Sequence, residues 1–146
     1  MTRSRRALIA HFAGFPEVIA AAARSANGTK PSDDEWSTEE VLRHLIAVET
    51  GVYQTRLLDL AIDDDPRWSW VEPTPWAGEP DLDLDGVLER FAARRAATVA
   101  NVSALDADGW ARAGTHATFG RLDVGRMLEI AIEHDQEHLR DLESRS

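Results

Sequence analysis

The amino-acid sequence predicts an all-α protein that folds as a four-helix bundle. Four stretches of about twenty residues each carry apolar side chains at helical spacing, and no stretch shows the convincing apolar-polar alternation of a half-buried strand. Clusters of turn-forming residues separate the stretches. With 146 residues, the chain is long enough to bury one core without disulfides, so we expect a single domain over residues 1–146.

The first predicted helix spans about Arg5–Ser25 and is followed by the turn-forming cluster NGTKPSDDE. Pro16 lies inside this helix. Because proline has no backbone N–H and its ring crowds the preceding turn, we expect a kink or a local irregularity there.

The second predicted helix has the clearest start signal in the chain. In WSTEEVLRHL, Ser37 is placed as the N-cap and Glu40 as its capping-box partner, with Trp36 positioned for a hydrophobic staple. The helical pattern then continues as far as Leu60 or Ile62.

The third helix is expected over roughly Asp85–Leu105 and the fourth over about Asp123–Glu143. The intervening segment 63–84 contains four prolines and three tryptophans, so it is interpreted as a long crossover that packs on the bundle through its aromatic rings. A long ordered connection can also line a pocket. The candidate substrate-binding residues of this segment are Trp68, Trp70 and Trp76.

Three histidines fall on the apolar stripes of two helices. His134 and His138 are four residues apart in EHDQEHLRDL and share one face of the last helix, while His44 lies on the inner stripe of the second. A lone histidine in such a position is usually a neutral core residue bonded to a carbonyl. Burying three imidazoles on facing helices is costly unless their nitrogens find a partner, and one divalent cation serves all three.

The heights of these histidines along their helices constrain the topology. At 1.5 Å per residue, His44 lies about 10 Å into its helix, and His134 and His138 lie about 7 to 14 Å from the C-terminal end of theirs. The levels coincide when the two helices are antiparallel. With one long crossover between the second and third helices, the predicted order of directions is up-down-down-up.

Three imidazoles leave coordination positions open for water or a substrate, and zinc, nickel, iron or manganese would each accept them. Glu49, one turn beyond His44, and Asp135, near the inner stripe, are candidates for orienting an imidazole or acting as a general base. His116, expected in a loop within GTHATFG, is a further candidate for substrate contact. His11 has no partner at metal-ligand spacing.

Two stretches, WSTEEVLRHLIAVETGVYQTRL and EHDQEHLRDL, resemble the second and last helices of the DinB/YfiT-like superfamily, which carry W-S-x-x-E-V-L-x-H-L and H-D-x-x-H-L elements. The resemblance covers essentially the whole chain in length and order. It implies an up-down-down-up four-helix bundle, a divalent-metal site formed by His44, His134 and His138, and a homodimer. Characterised relatives include S-transferases and isomerases that use mycothiol or bacillithiol, so the resemblance also implies a low-molecular-weight thiol as cosubstrate.

The composition restricts the expected partners. The formal net charge of -10 repels nucleic-acid phosphates and anionic membranes, so we expect neither as a partner. No segment reads as apolar over the 18 or more residues of a membrane span. The absence of cysteine excludes thiolate ligands and suits a reducing cytoplasm, where we expect the protein to act on a small-molecule substrate.

The sequence leaves three functions open. The leading interpretation is a metal-dependent transferase or isomerase that activates a low-molecular-weight thiol, which a cysteine-free protein must take from outside. The second is a hydrolase that uses a metal-activated water, with Glu49 or Asp135 as general base. The third is a bundle that binds a metal or small molecule without catalysis.

Overall fold

The structure, a computed structural model, describes residues 4–145 and is mostly helical. Its second helical run combines two α-helices with a π-helical segment between them. The helices are α1 (Arg5–Ser25), α2 (Thr38–Val48), the π segment (Glu49–Gln54), α3 (Thr55–Ile62), α4 (Leu84–Ser103), α5 (Ala107–Ala111) and α6 (Val124–Glu143). The long runs agree with the four predicted helices to within a few residues.

Side-chain caps define where the long helices begin. The predicted capping box is present: Ser37 accepts a hydrogen bond from the backbone N–H of Glu40, whose carboxylate accepts one from the N–H of Ser37. Asp83 and Asp123 cap α4 and α6 by accepting from the third residue beyond them. These caps fix where α2, α4 and α6 begin, and the inner faces of these helices carry the buried polar residues His44, Arg95 and Asp135.

A small three-stranded sheet accompanies the helices, so the expectation of an all-α fold is wrong in this respect. Its strands are β1 (Arg67–Trp68), β2 (Ala113–His116) and β3 (Gly120–Asp123), with β1 parallel and β3 antiparallel to β2. Strands of two to four residues are too short to show alternation. His116 therefore ends a strand and does not lie in the expected loop.

Pro16 lies inside α1 without ending it. Because proline has no N–H, the backbone oxygen of Phe12 loses its usual helical donor. Arg95 of α4 replaces that donor, since its Nη1 donates to this oxygen over 2.9 Å. The irregularity predicted at Pro16 is thus the loss of one backbone hydrogen bond in α1, and the side chain of Arg95 from α4 provides the replacement donor.

The core consists of apolar side chains from all four long runs. α1 is long and apolar enough, by length and composition, to cross a membrane, which differs from the sequence expectation. Its residues Leu8, Phe12 and Ile19 are buried in the core, as expected for the inner face of a bundle helix. Its packing partners are chiefly α4 and α6.

Candidate metal centre

The structure brings together the three histidines that the sequence singled out. His44 comes from α2, His134 and His138 come from α6, and one ring nitrogen of each lies within 4.8 Å of the others. The Nε2 atoms of His134 and His138 are 3.2 Å apart. Two ligands at about 2.1 Å from a shared ion are separated by roughly 3.0–3.4 Å, so this spacing fits a common cation.

The ring of His44 is oriented by the crossover. Its Nδ1–H donates to the backbone oxygen of Pro73 over 2.7 Å, which assigns the lone pair to Nε2. Trp36 packs against the ring with centroids 4.5 Å apart. The Nε2 atom is buried and has no hydrogen-bond partner among residues 4–145. A buried acceptor without a partner is unfavourable, and a cation satisfies it.

Burial keeps the three imidazoles neutral near pH 7. It lowers the pKa of His134 to about 4 and that of His138 to about 3, with the neighbouring rings as the next cause. The pKa of His44 is also lowered, again mainly by burial. Since neutral imidazole is the form that binds a metal, protons do not compete for this site at neutral pH.

Tyr53 supports the orientation of His134. Its hydroxyl lies 3.5 Å from His134 Nδ1, close enough to accept a weak hydrogen bond from that nitrogen and leave Nε2 free for a ligand. Burial, together with the carboxylates of Asp135 and Glu49, raises the pKa of Tyr53, so its hydroxyl stays protonated. Tyr53 belongs to the π segment, a kind of irregularity that often occurs at functional sites.

A cavity of about 190 Å³ adjoins the histidine cluster, and His44 and His134 form part of its wall. The other walls come from the second helical run, from α6, from crossover residues 70–73, and from His116 and Phe119 of the β2–β3 hairpin. Its volume accommodates a small molecule beside the three rings.

Glu72 is a functional candidate that the sequence analysis missed. Its carboxylate oxygen lies 3.7 Å from His44 Nε2, its side chain is 53% exposed, and it lines the cavity. Nothing in the sequence distinguishes it from the other acidic residues. Its position depends on the path of the crossover, which Pro73 ties to His44.

Glu49 and Asp135 also come together, but around Arg95. Arg95 is 1% exposed; its Nε lies 2.9 Å from a Glu49 oxygen, and its two Nη atoms lie 3.0 and 3.2 Å from the Asp135 oxygens. Burial raises the pKa of Asp135 to about 7 and also raises that of Glu49, and the Arg95 charge opposes both shifts. Neither carboxylate lines the cavity beside the histidines.

Arg95 could have been found in the sequence. It stands four residues after Phe91, on the stripe of α4 that continues with Thr98 and Val102, all of which are buried. An arginine on such a stripe predicts a buried ion pair, because an isolated charge is too costly to bury.

The three crossover tryptophans have different positions. Trp70 lines the cavity and lies 6.3 Å from Phe119 between ring centroids. Trp68 packs its ring against Gly114 of β2, and Trp76 lies under the guanidinium of Arg43 at 5.4 Å. Neither Trp68 nor Trp76 lines the cavity, so the expectation that they contact a substrate there has no support from their positions.

Comparisons with known proteins agree with the resemblance seen in the sequence. The family model of the DinB superfamily matches residues 1–142. YfiT from Bacillus subtilis, described as a probable metal-dependent hydrolase with an unusual four-helix bundle topology, is similar in structure with a TM-score of 0.74 at 17% identity. The match covers 97% of this chain and 86% of that one. No curated protein matches the sequence.

Proposed function

The chain belongs to the DinB superfamily, and we propose that it is a divalent-metal-dependent hydrolase acting on a small molecule. The observation that carries the proposal is the buried Nε2 of His44, which has no hydrogen-bond partner among the residues that the structure describes and lies with two neutral histidines beside a cavity. The description of YfiT, which is similar in fold, as a probable metal-dependent hydrolase supports the reaction class.

The proposed ligands are the ring nitrogens of His44, His134 and His138. Zinc, nickel, iron and manganese all accept imidazole nitrogens, and three protein ligands leave coordination positions for water and substrate. A divalent ion bound there would supply a Lewis acid that polarises a carbonyl and lowers the pKa of water. The backbone oxygen of Pro73 holds the ring of His44 in the tautomer that this role requires, and the Tyr53 hydroxyl lies where it can accept the Nδ1–H of His134.

We assign the role of general base to Glu72. Its carboxylate is at the cavity wall and close to His44, where it can accept a proton from an attacking water. Glu49 and Asp135, predicted for that role from the sequence, are bound to Arg95. We propose that they are positioning residues instead, because they connect Arg95 to the π segment that carries Tyr53 and to the helix that carries His134.

A reaction with a low-molecular-weight thiol, such as mycothiol, stays a prediction from the family resemblance. The chain has no cysteine, so any reactive sulfur must come from a cosubstrate. Consumption of added thiol by the metal-loaded protein in the presence of an electrophile would favour this reaction over hydrolysis.

The test begins with metal content. We expect the purified protein, after incubation with zinc, nickel, iron or manganese and removal of free ion, to retain about one equivalent of metal. His134→Ala is expected to lose it, whereas His11→Ala, which changes an exposed histidine outside the cluster, should retain it. Equal metal content in all three proteins would contradict the site.

The reaction is then tested with ester and amide panels in the absence of thiol. Hydrolysis should stop on addition of a chelator, and Glu72→Gln should lower kcat by roughly 100-fold without changing metal content. Unchanged kcat in Glu72→Gln would exclude Glu72 as the base. A metal-loaded protein that hydrolyses nothing in the panels but consumes thiol would replace hydrolysis by thiol transfer.

We further propose that the long helical runs are arranged up-down-down-up. The end of α1 meets the end of α6 through Asn27 and Arg145, which supports parallel directions for these two helices. Arg24, at the end of α1, pairs with Asp85 at the start of α4. Arg145 also donates to the backbone oxygen of Trp36, just before α2. These contacts support antiparallel directions for α1 and α4 and for α2 and α6.

A further inference from the structure

The wall of the cavity includes two hydrogen-bond donors, Arg56 and His116, that the proposed reaction does not use. Arg56 lies twelve residues after His44 on the same helical run, about 18 Å further along its axis at 1.5 Å per residue. Both side chains line this one cavity, and burial, followed by the charge of Arg56, lowers the pKa of His116.

The hydrogen bonds of His116 assign its proton to Nε2. Its Nδ1 accepts the backbone N–H groups of Thr118 and Phe119 over 2.9 and 3.3 Å, so this nitrogen carries no proton. Burial lowers the pKa of the ring, which is therefore neutral, and the remaining N–H is on Nε2. The residue is 1% exposed, and Nε2 has no hydrogen-bond partner within the described part of the chain. Such a donor requires an acceptor.

Arg56 contributes a positive charge to the wall of the same cavity. Its guanidinium lies over the ring of Trp68 at 5.5 Å and donates to the backbone oxygen of Ser69 over 3.3 Å. That long contact to a neutral oxygen uses one of five guanidinium N–H groups. The planar fork of an arginine matches the two oxygens of a carboxylate.

The remainder of the cavity indicates what the anion is attached to. Trp70, Val71, Phe119 and Ile130 contribute apolar wall. Three carboxylates also line the cavity, which makes a dianion such as a phosphate monoester less favourable than a group with a single negative charge. These residues are Glu72, Glu133 and Glu137.

We propose that Arg56 and His116 bind the carboxylate of an apolar carboxylic acid substrate, whose hydrolysable ester or amide bond lies at the histidine cluster. The identity of the reacting bond rests on the proposed function. The carboxylate subsite does not, because neither Arg56 nor His116 belongs to the three-histidine cluster. The substrate class is therefore an apolar acid with its carboxylate separated from the reacting bond by an apolar spacer.

The subsite is tested on the chelator-treated protein, so that a carboxylate cannot bind a metal. Isothermal titration calorimetry with 3-phenylpropanoate, its neutral primary amide and phenyl phosphate compares a monoanion, an isosteric neutral group and a dianion. We expect the acid to bind at least roughly tenfold more tightly than the amide, since charge-assisted hydrogen bonds are the stronger ones. Equal binding of acid and amide, or tighter binding of phenyl phosphate, would overturn the proposal.

Arg56→Met removes the cation and should weaken binding of 3-phenylpropanoate by roughly 10- to 100-fold, with little change for the amide. Arg67→Met is the matched control, because Arg67 is an exposed arginine of β1 that pairs with Asp65 and does not line the cavity. An Arg56→Met protein that binds the acid as tightly as the control would refute the role of Arg56.

His116 offers a matched pair of substitutions. In His116→Asn, the side-chain oxygen can accept the N–H groups of Thr118 and Phe119, but the donor at Nε2 is lost. In His116→Gln, the longer amide retains a donor near that position. We expect roughly tenfold weaker binding of 3-phenylpropanoate for the first variant and near-normal binding for the second. The reverse order would assign only a structural role to His116.

The carboxylate subsite and the proposed hydrolase can fail independently in these experiments. Failure to retain metal with intact, Arg56-dependent binding of the acid would refute the hydrolase and keep the subsite. Metal retention and hydrolysis of neutral esters, without preference for the acid over its amide, would keep the hydrolase and refute the subsite.

Discussion

Two buried polar clusters lie near each other in this protein, and they differ in how far they are satisfied. Arg95 has Glu49, Asp135 and the backbone oxygen of Phe12 as partners, and a single carboxylate oxygen, Oε2 of Glu49, has no hydrogen-bond partner among residues 4–145. In the histidine cluster, Nε2 of His44 has no hydrogen-bond partner within the described part of the chain; the other two rings are neutral, and a carboxylate oxygen of Glu72 lies 3.7 Å away. The first cluster is nearly complete without a ligand, whereas the second requires one.

The difference lies in the charge available to each cluster. A guanidinium is always protonated and supplies five donors, so it can join elements of all four helical runs by itself. Neutral imidazoles have one donor and one acceptor each, and three of them facing one point cannot satisfy one another completely. We infer that the Arg95 cluster maintains the fold and that the histidine cluster is maintained for binding.

The largest expected effect is on the stability of the Arg95 cluster. Arg95→Met leaves two buried carboxylates without a cation, and we expect the free energy of unfolding to fall by about 3–5 kcal/mol. Urea denaturation measures the change. Arg94→Met, on the exposed side of the same helix, should stay within about 0.5 kcal/mol of the unchanged protein. A comparable loss in both variants would mean that the charge of α4 matters and the buried contacts do not.

Metal binding at the histidine cluster should raise the stability of the protein. With free zinc at 100 times its Kd, the unchanged protein should gain about 2.7 kcal/mol of stability. His134→Ala should lose most of this gain because two nitrogens bind an ion far less tightly than three. Thermal unfolding with and without metal provides the measurement, with His11→Ala as the control. Stabilisation of His134→Ala to the same degree would show that the ion binds elsewhere.

A comparable effect is expected from pH on the metal-free protein. In the folded state the pKa of His134 is about 4 and that of His138 about 3, below the usual 6.5, so the unfolded chain binds more protons between these values. The stability contribution of the neutral rings is present above pH 6.5 and is lost as pH falls towards 4. The unchanged protein should therefore lose stability relative to metal-free His134→Ala over this range. A constant difference would indicate that the rings are not desolvated.

The smallest expected effect concerns Pro16. In Pro16→Ala a new backbone N–H can donate to the oxygen of Phe12, which Arg95 already contacts. A carbonyl accepts two hydrogen bonds, so we expect a change in unfolding free energy of less than about 1 kcal/mol by urea denaturation. A loss above about 2 kcal/mol would show that Arg95 depends on the proline to leave that oxygen accessible.

The sequence predicted the site less completely than the helices that carry it. His44, His134 and His138 were found because helical periodicity places them on inner faces. Glu72 was not found, because its position depends on where the crossover packs. Arg56 was not found either, since its approach to the cavity follows from tertiary contacts of α3 and the crossover.

The sequence by itself determined the long helices, their caps and the three histidines, because spacing and capping are interactions between residues a few positions apart. The tertiary structure decided the small sheet, the partners of Arg95, and the tryptophan that lines the cavity. These depend on contacts between segments far apart in the chain, such as Arg67 of β1 with Thr115 of β2. Local sequence patterns do not specify contacts between distant segments, so these pairs can be identified only from the folded structure.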